Sequence, residues 1–158
     1  MSQSQFALYC LCMQPTIELN IVAILLAVAG AFSFNMIYYS VLFGKTWRKE
    51  LGLPEDEKPS KKQMFSSLAL NIVGLFLMVW VFDHNIQAWD ARSWGHTEPF
   101  MPDAAAAAIG AILTWLGFFM PQDMNKVIFH GRSWKLFFID TFSNLCSLLI
   151  AAYILVFV

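Results

Sequence analysis

The sequence predicts an all-α membrane protein with four transmembrane helices, arranged as two helical hairpins in parallel repeat with both termini outside. Three observations carry this. Hydrophobic residues make up 58% of the 158 and charged residues 13%, against roughly 45–50% apolar in soluble domains. Four apolar stretches, at about 17–43, 64–82, 104–120 and 136–158, each approach the ~20 residues a spanning helix needs. Finally, one phrase is written twice: Val41-Leu42-Phe43-Gly44-Lys45-Thr46-Trp47-Arg48 returns as Val127-Ile128-Phe129-His130-Gly131-Arg132-Ser133-Trp134-Lys135, with one inserted His. An internal repeat in a membrane chain points to where two halves meet.

Residues 1–16 form an extension without a charged side chain. Its apolar part, about 6–13, is too short to span and is expected to lie in the outer interface. The first apolar stretch resembles a signal-peptide core, with Ala27-Val28-Ala29 as a cleavage site, but no Lys or Arg precedes it. It therefore reads as a retained transmembrane helix. The loop 51–62 holds Gly52, Pro54, Pro59 and many charges, so it is expected to be solvated, with a helical turn at Pro54-Glu55-Asp56-Glu57. The connection 83–103 is mostly acidic. Asp103 is expected to cap the third helix and Pro121 to kink or stop it.

Orientation follows from the bases. Lys45, Arg48, Lys49, Lys58, Lys61 and Lys62 fall between the first two helices, and Lys126, Arg132 and Lys135 between the last two. Only Arg92 lies elsewhere. The positive-inside rule makes the long basic loop cytoplasmic and the connection 83–103 external. The net charge of −1 hides this asymmetry. Trp47 and Trp134 mark one interface, Trp80, Trp89 and Trp94 the other.

The repeat divides the transmembrane domain 17–158 into halves at about 17–82 and 104–158. Aligning Asn71 with Asn144 sets Ser67 against Asp140 and Trp80 against Tyr153. Both first helices then run outside to inside, which makes the repeats parallel. Within the phrase, Gly44 and Gly131 suit a left-handed helix terminus. Lys45 and Arg132 complement the negative helix end, Thr46 and Ser133 can cap the next helical segment, and Trp47 and Trp134 anchor at headgroup depth. Lys45, Trp47, Arg48, Arg132, Trp134 and Lys135 are thus cytoplasmic anchors that can contact lipid headgroups.

Phe43-Gly44-Lys45-Thr46-Trp47 after an apolar helix, together with Trp115-Leu116-Gly117-Phe118 and the run Phe129–Phe137, resembles the small bacterial membrane family catalogued as domain of unknown function 1761. The resemblance covers nearly the whole chain. It implies a four-helix integral membrane protein without an established activity, and it carries over no catalytic residue. The apolar, aromatic extension before Thr16 departs from the family pattern.

Polar side chains within lipid are costly and become functional candidates. Asp140 lies five residues past Lys135, about 7 Å deep at 1.5 Å per residue, within expected reach of Arg132 or Lys135. Asn144 follows one turn deeper on the same face, with Asn71 as its repeat partner. Asn71, Asp140 and Asn144 are therefore the candidate intramembrane polar site. Asn35, Tyr38 and Tyr39 approach the cytoplasmic end of the first helix, as Asp123 and Asn125 do in the third. The stripes Ala23-Ala27-Ala31 and Ala106-Gly110-Thr114 have the small-residue spacing of helix packing.

The expected function is lateral association without catalysis, as a homo-oligomer or an accessory subunit of a larger membrane complex, with the bilayer and other membrane subunits as partners. The alternative is a small transporter or channel with its polar site between the repeats. A membrane enzyme built on Asp123, His130 and Asp140 has no defensible spacing. Asp83, His84, Asp90, His96 and Glu98 match no metal-ligand spacing, no cofactor is implied, and no feature suits nucleic acid. Cys10, Cys12 and Cys146 read as free thiols rather than a disulfide framework.

Overall fold

The computed structural model describes residues 14–54 and 59–158, and all regular structure in them is helical. Residues 55–57 of the turn expected at 54–57, Cys10, Cys12 and most of the 1–16 extension lie outside the described residues. Four continuous helical spans, Ile21–Leu42, Lys61–Trp89, Asp103–His130 and Trp134–Phe157, are long and apolar enough to cross a membrane, consistent with a membrane protein.

The first span is α1 (Ile21–Ile37), continued by a π-helical turn, Tyr38–Leu42. Asn20 starts it, its side-chain oxygen accepting from the Val22 and Ala23 amides at 3.1 and 3.2 Å, which satisfies donors that a helix start leaves open. A short helix, α2 (Gly44–Glu50), folds back immediately. Here the expectation for Gly44 is corrected. Its backbone φ is not positive; the residue is small because a Cβ would sit 2.9 Å from the Tyr39 carbonyl oxygen. Thr46, expected as a cap, lies inside α2.

The second span, α3 (Lys61–Trp89), opens on a capping box between Ser60 and Gln63 and runs well past the apolar stretch that predicted it. Asp83, placed in the outer connection by sequence, is therefore helical and buried. A 3₁₀ turn, Ala91–Trp94, follows. The third span begins with α4 (Asp103–Thr114), passes through a π turn (Trp115–Phe119), and ends as α5 (Met120–His130). Pro121 does not stop this helix. It stands just after the π turn Trp115–Phe119 within one continuous span, a local irregularity that fits the hydrogen bond its ring removes. Asp103 does not cap α4: Pro102 holds the cap position and Asp103 pairs with Arg92 at 2.8 Å. Gly131, with φ of 64°, closes α5 in the left-handed conformation. Ser133 then caps α6 (Trp134–Phe157), accepting from the Leu136 amide at 3.1 Å.

The core lies toward the end of the bundle away from the basic loops. Ile24, Ala27, Val28 and Ala31 of α1 meet Leu75, Val79 and Phe82 of α3, Ala107 and Ala111 of α4, and Leu148, Ala151 and Ala152 of α6. Small residues let these helices approach closely. The Ala23-Ala27-Ala31 stripe is thus consumed inside the chain. Three of the four spans bury side chains in both halves. The exception is α3, whose buried residues all lie at or beyond Leu75. From Lys61 to Gly74, every side chain but Leu68 is exposed.

Candidate functional site

The basic half of the bundle is held together by polar contacts, and α6 is their hub. The two π turns aim aromatic donors at it. In the first, consecutive tyrosines both reach α6: the Tyr38 hydroxyl donates to the Ile139 carbonyl and the Tyr39 hydroxyl to Asp140 Oδ1, each at 3.0 Å. A regular α-helix turns neighbouring side chains about 100° apart; a π turn is wider and is often found at functional positions. In the second, the Trp115 indole N–H is shared between the Thr141 carbonyl at 2.8 Å and its hydroxyl at 3.0 Å.

One turn farther in, Asn35 Oδ1 accepts from both Ser143 and Ser147, at 2.9 and 3.0 Å. Both serines are buried. On the other flank, Asp123 of α5 is 3% exposed. Its Oδ1 pairs with Lys126 at 2.7 Å and its Oδ2 accepts from Asn144 Nδ2 at 2.9 Å. A buried carboxylate requires this double satisfaction. Asp140 and Asp123 face a common crevice with Lys126 and Arg132, and it has no room for a water molecule.

Two of the three sequence candidates meet here. Asp140 and Asn144 both belong to the polar seam, but they bond to different partners, Tyr39 and Asp123 respectively. Asp140 takes neither Arg132 nor Lys135 as its hydrogen-bond partner. Asn71 is not brought to them: it is exposed on α3 and its side chain makes no hydrogen bond among the described residues. Asp123 was legible as a polar residue near the cytoplasmic end of the third helix, but its burial against α6 has no signature in the sequence.

The six anchor residues lie at the basic end. Lys45, Arg132, Trp134 and Lys135 are exposed, while Trp47 and Arg48 are partly covered. Arg48 donates to the Pro54 carbonyl at 2.8 Å, and the Trp47 ring packs edge-on against Tyr39 at 5.5 Å. The two phrases touch. Glu50, two residues after the first, accepts from Ser133 in the second at 2.6 Å and pairs with Lys135 at 3.7 Å. A cleft of about 360 Å³ opens there, lined by Glu50, Leu51, Gly131, Arg132, Ser133 and Leu136.

At the far end, Asp83 keeps Oδ1 on Gln87 at 3.0 Å and leaves Oδ2 buried without a partner. Gln87 in turn accepts from the Glu18 amide at 2.8 Å, fastening the chain ahead of α1. Among the described residues, no three His, Cys, Asp or Glu side chains converge in a way that could hold a metal. Cys146 is a free thiol within α6.

No curated protein and no solved structure matches the chain. The family model described as Protein of unknown function (DUF1761) matches residues 22–156, and the chain belongs to that family.

Proposed function

We propose that the chain is a laterally associating integral membrane protein, non-catalytic, working as an oligomer or as an accessory subunit of a larger membrane assembly. The basic end faces the cytoplasm of a bacterial inner membrane, both termini lie outside, and the two hairpins are parallel repeats. Nine of the ten bases at one end support that orientation. The contact of Glu50 with Ser133 and Lys135, which brings the ends of the two phrases to one level, is what the repeat would lead one to expect.

One observation carries the association. From Lys61 to Gly74 no side chain of α3 is buried and only Leu68 is partly covered, whereas the basic-end half of each other span holds at least one buried side chain. Residues 61–74 carry Met64, Phe65, Leu70 and the amide of Asn71. Apolar groups alone would sit in lipid, but an amide at that depth needs a hydrogen-bonding partner. Cross-linking in native membranes, followed by sizing in mild detergent, is expected to give species larger than one chain. A strictly monomeric protein with no partner would overturn the reading.

A second reading, a small transporter, draws on the Asp123, Lys126, Asn144 and Asp140 seam. Between that seam and the buried Asp83 at the far end, the bundle is filled by Ile24, Val79, Leu148 and alanines. Ion flux into liposomes that disappeared in Asp140→Asn would favour it.

A further inference from the structure

We propose that Asn71 marks a contact between two copies of this chain, in which the bare half of α3 from one copy packs on the same half of the other and the two Asn71 amides pair. The inference rests on the lateral association proposed above and names its partner.

Three features of the residues point there. The first is depth. Asn71 lies ten residues beyond Lys61, about 15 Å along the helix at 1.5 Å per residue, which is near the middle of a hydrocarbon layer roughly 30 Å thick. No water is at hand there, and the Asn71 side chain has no hydrogen bond among the described residues.

The second is the face. Asn71 stands one helical turn before Leu75, and Leu68 and Met64 stand two and three turns before it (spacings of 3, 4 and 7 share a face). Leu75 continues through Val79 and Phe82 into the core. The stripe that packs α3 into its own bundle therefore runs on through Asn71, but the bundle no longer covers it: Met64 is 51% exposed. An inward-type face has been left open.

The third is chemistry. A carboxamide carries one acceptor oxygen and two donor hydrogens, so it is complementary to itself. A two-fold contact places the same patch against itself, and an identical amide satisfies Asn71 without any new residue type. An apolar lipid chain satisfies nothing. Lys61 and Lys62 of the two copies come together only beyond the apolar stretch, where water screens them.

The test uses the full chain with Cys10, Cys12 and Cys146 replaced by serine or alanine, reconstituted in liposomes. Single cysteines at Met64, Asn71 and, on the opposite side of α3, Val73 are exposed to a membrane-permeant oxidant. Disulfide-linked chains of twice the mass are expected from Met64→Cys and Asn71→Cys and not from Val73→Cys. In parallel, Asn71→Leu is expected to raise the dissociation constant of the dimer by about threefold to thirtyfold, while Asn71→Gln retains it. If Asn71→Leu leaves the dissociation constant unchanged, or Val73→Cys links as well as Asn71→Cys, the Asn71 contact is wrong and lateral association stands on another surface. Capture of a different protein at Asn71 likewise overturns the second copy alone. A monomer in every arm, with no partner, overturns both.

Discussion

Asn144 on α6 donates its amide to Asp123 Oδ2 on α5, 2.9 Å away and 21 residues back in sequence. The other carboxylate oxygen is already taken by Lys126 at 2.7 Å. With the Trp115–Thr141 contact the pair fastens the third span to the fourth, and neither oxygen has a second donor among the described residues.

Asn144→Leu keeps the volume and removes the donor. Asp123 is 3% exposed, so its orphaned oxygen is cut off from bulk water. The expected loss is about 1–3 kcal/mol of stability, read from denaturation in detergent. Asp123→Asn in the same background is expected to recover part of that, because the charge to be satisfied has gone. A double variant no better than Asn144→Leu alone would refute this account of the pair.

The glycines of the bundle make a graded series. At Gly44 a new Cβ meets the backbone carbonyl of Tyr39 at 2.9 Å, and backbone cannot step aside. Gly44→Ala is expected to cost about 1–3 kcal/mol through overpacking. At Gly30 the nearest atoms are Ile154 Cδ1 at 2.9 Å and Ile150 Cγ2 at 3.1 Å, both side-chain methyls that can rotate, so Gly30→Ala is expected to cost less. At Gly74 nothing lies within 4 Å, and Gly74→Ala is expected to gain up to about 1 kcal/mol of helix propensity. Thermal unfolding of the three variants checks the order, and Gly30→Ala falling below Gly44→Ala would overturn it.

Ser133 serves two elements with one hydroxyl. Its oxygen accepts from the Leu136 amide at 3.1 Å and its hydrogen goes to Glu50 at 2.6 Å. Ser133→Ala removes both the cap of α6 and the tie to α2, with an expected loss of about 1–2 kcal/mol. Glu50→Ala removes the tie but keeps the cap, and leaves the exposed Lys135 free to be hydrated, so its loss is expected to be smaller. Equal losses would mean that the cap contributes nothing measurable.

The four spans were legible because lipid leaves the backbone few choices: a run of about 20 apolar residues must be helical. Asp140 and Asn144 were found for the same reason, since polar groups stand out in an apolar segment. The features that sequence did not reveal depend on where helices turn. The π turns at Tyr38–Leu42 and Trp115–Phe119 have no clear local signature, and they decide that Tyr38, Tyr39 and Trp115 face α6. Pro121 signalled a kink or a stop, and only the stop is excluded: the span runs through it to His130, with a π turn just before it. Asn71 was paired with Asn144 by alignment alone. Alignment of repeats equates positions, while contact depends on how far each helix leans from the bundle, and α3 leaves its basic half uncovered.

The far end offers a test by acid. Asp90 accepts from Arg92 through Oδ1 and Oδ2, with the closest contact at 2.7 Å, and Arg92 also reaches Asp103 at 2.8 Å. The Arg92 guanidinium holds the Asp90 carboxyl below its ordinary value of 3.8, the Arg92 amide adds to this, and partial burial opposes both. A carboxylate whose folded pKa is depressed contributes stability that is fully present above the unfolded value. That stability is lost as pH falls through the folded one. The turn Ala91–Trp94, which Asp90 caps by accepting from the Arg92 amide at 2.9 Å, is therefore expected to loosen below about pH 3.8 and not between about pH 5 and 8. Arg92 is half exposed, so the effect is expected to stay below about 1 kcal/mol and to be local. Hydrogen exchange of residues 91–95 would follow it, accelerating in acid relative to the α6 amides. Asp90→Asn is expected to accelerate the same amides at neutral pH and to abolish their acid dependence. Acid acceleration that survived in Asp90→Asn would assign the effect to another group.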